Sequence, residues 1–171
     1  MKKIFLSLIA LAATTFAGYA DTSLAEAYSG LAKLPGMSEQ STQNIQIDGN
    51  NAITNVKIAS VQATQGNVQD YRDNFIYMME NLPIRNMVIA ANNMRELASV
   101  YATPAGGGQY NVLIITGDTN AGSFSVVSGK TTAAGVSAIR QCNVSMDATE
   151  LVMAPVKPLS PNESFISMGD D

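Results

Sequence analysis

Residues 98–127 read ASVYATPAGGGQYNVLIITGDTNAGSFSVV, and this stretch decides the fold of the 171-residue chain. It contains three runs rich in β-branched and aromatic residues, Ala98–Thr103, Tyr110–Thr116 and Phe124–Val127. Glycine-containing segments separate the runs, and apolar runs bounded by turn residues are typical of strands. Consecutive strands joined by short loops pair with one another, so we predict an antiparallel β-meander here.

Two amphipathic helices are predicted on the N-terminal side of the meander. The first, Ser23–Lys33, begins with Ser23 and Glu26 at the spacing of a capping box. The second, Asn67–Leu82, places its large apolar residues on one face and ends at Pro83. Those apolar residues are Val68, Tyr71, Phe75, Met78, Met79 and Leu82.

Shorter patterns fill in the rest of the chain. Turn residues at 48–51, next to alternating apolar positions, predict a hairpin. Met87–Ala90 is typical of a short buried strand, and residues 92–97 are compatible with a helical turn. A third helix is expected to end near Cys142, and residues 144–156 to add one edge strand.

These elements together predict the fold class and the domain organisation. The class is α+β: a mostly antiparallel sheet of about four to six strands, containing the β-meander, with two or three helices packed on one face. The chain length argues for one domain, which we expect to span residues 21–157. Residues 158–171 contain prolines and acidic residues and are expected to form a flexible C-terminal tail.

Residues 1–20 have the order of a secretory signal peptide. Lys2 and Lys3 precede an apolar stretch, Ile4–Phe16, and small residues precede Asp21. The apolar stretch is shorter than the about 20 residues that a membrane helix needs. We therefore expect an exported protein, periplasmic or extracellular, without a membrane span after cleavage.

The composition excludes several classes of active site. The chain has no histidine, no tryptophan and one cysteine. Without histidine it has no Ser-His-Asp or Cys-His catalytic group and no histidine-ligated zinc. One cysteine excludes a four-cysteine zinc site and an internal disulfide, and Cys142 is expected to be buried and unreactive. The net charge of −4 gives no electrostatic basis for binding nucleic acid.

Two loop motifs resemble ligand-binding sequences. Residues 128–131, SGKT, match the end of a phosphate-binding loop, which requires a glycine where this chain has Phe124. We interpret them as a glycine turn before a helix that Thr131 or Thr132 caps. Residues 118–122 begin like a calcium-binding loop but have glycine where a ligand is needed, so we interpret them as an Asx turn.

Two further sets of side chains are candidates for hydrolysis. Asp70, Asp73 and Glu80 on the second helix offer paired carboxylates, but the polar face of an amphipathic helix is ordinarily a solvated surface. Lys57 and Lys130 leave a Ser-Lys dyad open. Neither set has a motif of its own, so we assign no catalytic, cofactor-binding or metal-ligating residue, and we expect no cofactor.

The stretch Val100–Ile139 resembles a family of small exported domains of unknown function from Bacteroidetes. The resemblance rests on Tyr101, the glycine loop at 106–108, VLII at 112–115, SFSVVSGK at 123–130, the helix that follows, the MKK start and YSG at 28–30. It implies a β-meander that ends in a Gly-Lys turn before a short helix, in an envelope protein of a kind sometimes associated with signalling systems. Many family members resemble lipoproteins, but this chain has no cysteine near the predicted cleavage position. The resemblance supplies no catalytic residues.

The function expected from these observations is non-catalytic. We expect an exported envelope protein that binds a protein partner or a ligand, because the chain lacks histidine and has few charged residues, 14% in all. The alternative is a secreted hydrolase that uses carboxylates or a Ser-Lys pair. A cleft holding two carboxylates would favour the hydrolase, and a shallow surface would favour the binding protein.

Overall fold

The computed structural model describes the backbone of residues 22–92, 95–147 and 150–155, and the side chains of residues 22–90 and 95–142. The predicted signal peptide at 1–20 and the predicted tail at 158–171 lie outside the described residues. The elements are α1 (Leu24–Ala32), β1 (Ser38–Gln46), β2 (Ala52–Gln62), α2 (Val68–Glu80), a 3-10 turn (Ile84–Asn86), β3 (Met87–Asn92), β4 (Glu96–Gly106), β5 (Gln109–Asp118), β6 (Ser123–Thr132), α3 (Ala133–Ile139), β7 (Cys142–Asp147) and β8 (Glu150–Pro155).

A six-stranded sheet forms the centre of the structure. Its strand order is β1-β2-β6-β5-β4-β3, and every neighbouring pair is antiparallel. The β4-β5-β6 meander lies in the middle and continues outward to β3 on one side and to β2 and β1 on the other. The predicted α+β class, the meander and the hairpin across residues 48–51 are confirmed.

Two helices cover one face of the sheet, as predicted. In α1 the Oγ of Ser23 accepts the Glu26 N–H at 3.2 Å, and the Glu26 carboxylate accepts the Ser23 N–H at 3.0 Å, so the capping box forms. In α2 the predicted apolar stripe faces the core, with Val68 and Met79 half-buried and the other residues buried. The Phe75 ring packs edge-on against Phe124 of β6 at 5.3 Å, and Tyr71 stacks on the same ring at 5.8 Å. This cluster is the larger core.

The third helix packs on the opposite face of the sheet. Thr132 caps α3, since its side chain accepts the Gly135 N–H at 3.1 Å. Ile139 and Cys142 then join Val112 and Ile114 of β5 in a second core. Both faces of the central strands are therefore covered, which explains why β5 reads as a continuous apolar run.

Three local predictions were wrong. Gly129, Lys130 and Thr131 lie inside β6 and form no turn. The close approach of Ile53 on β2, which a Cβ at residue 129 would overlap, explains why this strand position is a glycine. The helical turn expected over residues 92–97 is absent at Asn92, where β3 ends, and at Glu96, where β4 begins; residues 93–94 lie outside the described residues. The segment predicted as one edge strand contributes to a separate two-stranded hairpin, β7–β8.

Candidate functional site

The edge strand β1 is the most exposed regular element that the structure describes. Eight of its nine residues, SEQSTQNIQ, are exposed, and Ile45 is half-buried. Strand β2 is its neighbour in the sheet, and the opposite edge of β1 borders no described strand. Apart from Ile45, the side chains of β1 are therefore exposed, and its outer edge has no paired strand in the part of the chain that the structure describes.

The turn after β1 fixes its end against β2. The Asp48 carboxylate accepts the N–H groups of Asn50 and Asn51, both at 2.8 Å, and the Asn51 side-chain amide at 2.9 Å. These hydrogen bonds hold the pKa of the Asp48 carboxyl below its usual range, and the bond from the Asn51 side chain has the largest effect. The Asx motif of the turn thus holds the register of β1 together with the apolar packing of Ile45 and Ile47 in the second core.

A second contact holds the start of β1. The hydroxyl of Tyr28, on α1, donates to the Glu39 carboxylate at 2.8 Å. Burial, followed by this bond and the Glu39 charge, raises the pKa of Tyr28, so the phenol stays protonated and remains a donor. With a bond at each end, β1 keeps one register on β2, from Ser38 opposite Ser60 to Gln46 opposite Ala52.

The direction of the main-chain groups follows from one hydrogen bond beside the strand. The Ile47 N–H donates to the Asn51 carbonyl at 2.9 Å, toward the β2 side of the hairpin. Amides of successive residues in a strand point to opposite edges, so Ile45 also points toward β2. The even-numbered residues from Gln46 back to Ser38, which include Asn44, therefore present N–H and C=O groups along the outer edge.

Proteins ordinarily protect such an edge, and β1 lacks those protections. Short length, proline, lysine and β-bulges are the usual means. The other edge strand, β3, has six residues and a register shift between Met87 and Ile89. Strand β1 has nine residues, no proline, no lysine or arginine and no register shift against β2; its one charge is Glu39.

The residues of the phosphate-like motif have structural places in β6. The Thr131 hydroxyl donates to the Ala52 carbonyl at 2.8 Å, and Lys130 is an exposed residue opposite Asn111. Phe124, where a phosphate-binding loop has its first glycine, is fully buried. The motif therefore forms a strand segment without the backbone nest that holds a phosphate.

The calcium-like segment is a turn with internal hydrogen bonds. The Asp118 carboxylate accepts the N–H groups of Asn120 at 2.8 Å and Ala121 at 3.1 Å, which is the geometry of the predicted Asx turn. Among the described residues no three His, Cys, Asp or Glu side chains lie close enough to hold a metal ion.

The hydrolase candidates lie on open surfaces. Asp70, Asp73 and Glu80 are exposed on α2, and Asp73 accepts a hydrogen bond from the Gln69 side chain at 2.7 Å. Lys57 lies directly opposite Ser128 on β6 in the strand register. No hydrogen bond joins that pair in the described part of the chain, and Lys57 is exposed.

Cys142 follows α3 at the start of β7. Its side chain is buried and in the reduced form, and the thiol donates to the Ala138 carbonyl at 3.4 Å. Burial, with a smaller effect of Asp48, raises the pKa of the thiol. A raised pKa reduces the thiolate fraction, so the expectation of a buried cysteine is confirmed and its chemistry is that of a core residue.

A row of hydroxyl groups crosses the sheet on the face covered by α3. Ser60, Ser125 and Thr116 are neighbours in the register of β2, β6 and β5. Ser125 and Thr116 are 0% and 3% exposed, and neither hydroxyl has a hydrogen-bond partner among the described residues. Because these two hydroxyls are buried, they are not accessible to a binding partner. They affect the stability of the fold instead.

The sequence indicated only the end of β1, from the alternating Ile45 and Ile47 before the turn, and the exposed part of the strand was missed. Polar residues fill Ser38–Asn44, so no apolar alternation marks this part as a strand. The remaining signal was the absence of strand-breaking residues: from residue 38 to residue 48 the chain contains no glycine or proline.

No helix in the described part of the chain is long and apolar enough to cross a bilayer. None of the protein-family models, curated proteins or solved structures compared with this chain matches it.

Proposed function

We propose that this chain is a non-catalytic, exported protein of the cell envelope that binds a protein partner by strand addition at β1. The observation that carries the proposal is the outer edge of β1: nine residues long, in one register with β2, uncharged apart from Glu39 and without a neighbouring strand among the described residues. In strand addition the partner supplies an extended segment, and main-chain hydrogen bonds provide most of the affinity.

The surroundings of β1 favour this mode of binding. The side chains of β1 are exposed on both faces, so an added strand enters without displacing a described helix. The Asp48 turn and the Tyr28–Glu39 hydrogen bond hold β1 in place before a partner arrives. A preorganised edge loses little conformational freedom on binding, which favours affinity.

The export part of the proposal is based on the sequence. The predicted signal at 1–20 supports a periplasmic or extracellular location. The resemblance to exported Bacteroidetes domains is in agreement with this location.

The test uses a substitution that blocks the edge without breaking the sheet. The N–H of Asn44 points away from β2, so Asn44→Pro removes an outer donor and keeps the β1–β2 ladder; proline is accepted on edge strands for this reason. Asn44→Ala is the matched control, because it removes the same side chain and keeps the N–H. Urea unfolding of both variants verifies that they remain folded.

The binding assay compares the three proteins directly. The tagged, exported chain is used to capture partners from its own envelope fraction, and bound proteins are quantified by mass spectrometry. We expect one or more partners to be retained by wild type and Asn44→Ala and lost, by at least about tenfold, with Asn44→Pro. Equal capture by folded Asn44→Pro would contradict binding at this edge.

A further inference from the structure

The partner that best fits the outer edge of β1 is a second copy of β1. Resting on the proposed function of that edge, we propose that two chains pair their β1 strands antiparallel about a twofold axis at Thr42. The two six-stranded sheets then form one continuous sheet across the axis. The contact is self-complementary, as a twofold interface requires.

The hydrogen-bonding pattern selects this register. The outward-pointing residues of β1 are the even-numbered ones, and a hydrogen-bonded antiparallel pair requires that both residues point toward each other. An axis at Thr42 places Thr42 opposite its own copy, Gln40 opposite Asn44 and Ser38 opposite Gln46. All nine residues then overlap, and every outward N–H and C=O is paired, which gives about ten main-chain hydrogen bonds.

The side chains also agree with this register. Glu39 lies opposite Ile45 of the other copy, so the charges of the two copies do not face each other. The other cross-strand pairs join amides and hydroxyls, which donate and accept hydrogen bonds in either orientation. The chain has a net charge of −4, and the β1 edge contributes only one carboxylate from each copy to the contact.

The experiment places charges on the twofold axis. In a chain with Thr42→Lys, or one with Thr42→Asp, two like charges face each other directly across the axis. Mixing the two variants pairs unlike charges. Thr54→Asp is the control: Thr54 is an exposed threonine on the inner strand β2, between Asn44 of β1 and Lys130 of β6, so it does not lie on the outer edge where the two copies meet.

Sedimentation velocity of the exported chain measures the oligomeric state of each variant. We expect wild type and Thr54→Asp to be dimers, each Thr42 variant alone to dissociate at least about tenfold more readily, and an equimolar mixture to recover the dimer. A dimer unaffected by the Thr42 substitutions, or no recovery on mixing, overturns the inferred interface. Circular dichroism verifies that each variant is folded.

The outcome separates this inference from the proposed function. A wild-type chain that stays monomeric at high micromolar concentration overturns pairing with a second copy. If Asn44→Pro nonetheless abolishes capture of a different protein, strand addition at β1 stands. If Asn44→Pro leaves that capture intact, the proposed function falls as well.

Discussion

The substitution Thr116→Val should stabilise the protein, although it removes a polar group from the middle of the sheet. Thr116 is 3% exposed, and in the part of the chain that the structure describes its hydroxyl has no hydrogen-bond partner. A buried hydroxyl without a partner costs about 1–3 kcal/mol in desolvation. Valine has nearly the same shape and places a methyl group at that position. We therefore expect the free energy of unfolding to rise by about 1–2 kcal/mol.

The same substitution at a second buried threonine should have the opposite sign. Thr131 is 2% exposed, and its hydroxyl donates to the Ala52 carbonyl at 2.8 Å. Thr131→Val removes that hydrogen bond, which contributes about 0.5–1.5 kcal/mol. Because residue type, substitution and burial are matched, the difference between the two variants isolates the hydrogen bond.

Urea and thermal unfolding measure the comparison. In a chain of this length 1 kcal/mol corresponds to about 2–4 °C in Tm, so the Thr116→Val variant should melt several degrees above the Thr131→Val variant. If Thr116→Val lowers stability as much as Thr131→Val does, the Thr116 hydroxyl has a hydrogen-bond partner in solution and the reasoning about the hydroxyl row is wrong.

Three other predictions test the core, the cysteine and the β1 turn. Phe75→Ala should cost about 3–5 kcal/mol, because the fully buried ring packs against Phe124, whereas Asp73→Ala on the exposed face should change stability by less than about 0.5 kcal/mol. Equal changes in the urea midpoints would contradict the helix packing. Cys142 should react with iodoacetamide more slowly in the native protein than in urea, since burial raises the pKa of its thiol; equal rates would mean that the thiol is accessible. The folded-state pKa of Asp48 is lowered, so the stabilisation from its carboxylate is present above the ordinary value of about 4 and is lost as the pH falls through the folded value. Asp48→Asn should therefore reduce the fall of the urea midpoint between about pH 5 and pH 2, and an unchanged fall would show that the turn does not contribute.

The parts of the fold that the sequence predicted are those with local signals. The capping box of Ser23 and Glu26 needs three residues of spacing, and the stripe that contains Phe75 needs a 3.6-residue period; both are visible in a single chain. Strand β5 is equally clear, because its run of branched residues is buried on both faces. Local consistency of this kind predicts an element before its neighbours are known.

The parts that were missed depend on neighbours distant in the sequence. Gly129 has the composition of a turn, but its place in β6 is set by Ile53, which occupies the space of a Cβ. Strand β1 has no apolar pattern over Ser38–Asn44, and this part is a strand because β2 and the Asp48 turn impose its register. The candidate site rests on that strand, so its position required the structure.

Residue-resolved amide exchange along β1 tests strand addition most directly. In the dilute, unbound protein the outward amides of Gln40, Thr42 and Asn44 should exchange rapidly, while the inward amide of Ile45 is protected by β2. In the complex with its partner, whether a second copy or another chain, the three outward amides should become protected and Ile45 should change little. A complex in which the outward amides of β1 still exchange as fast as in the unbound protein would contradict the account.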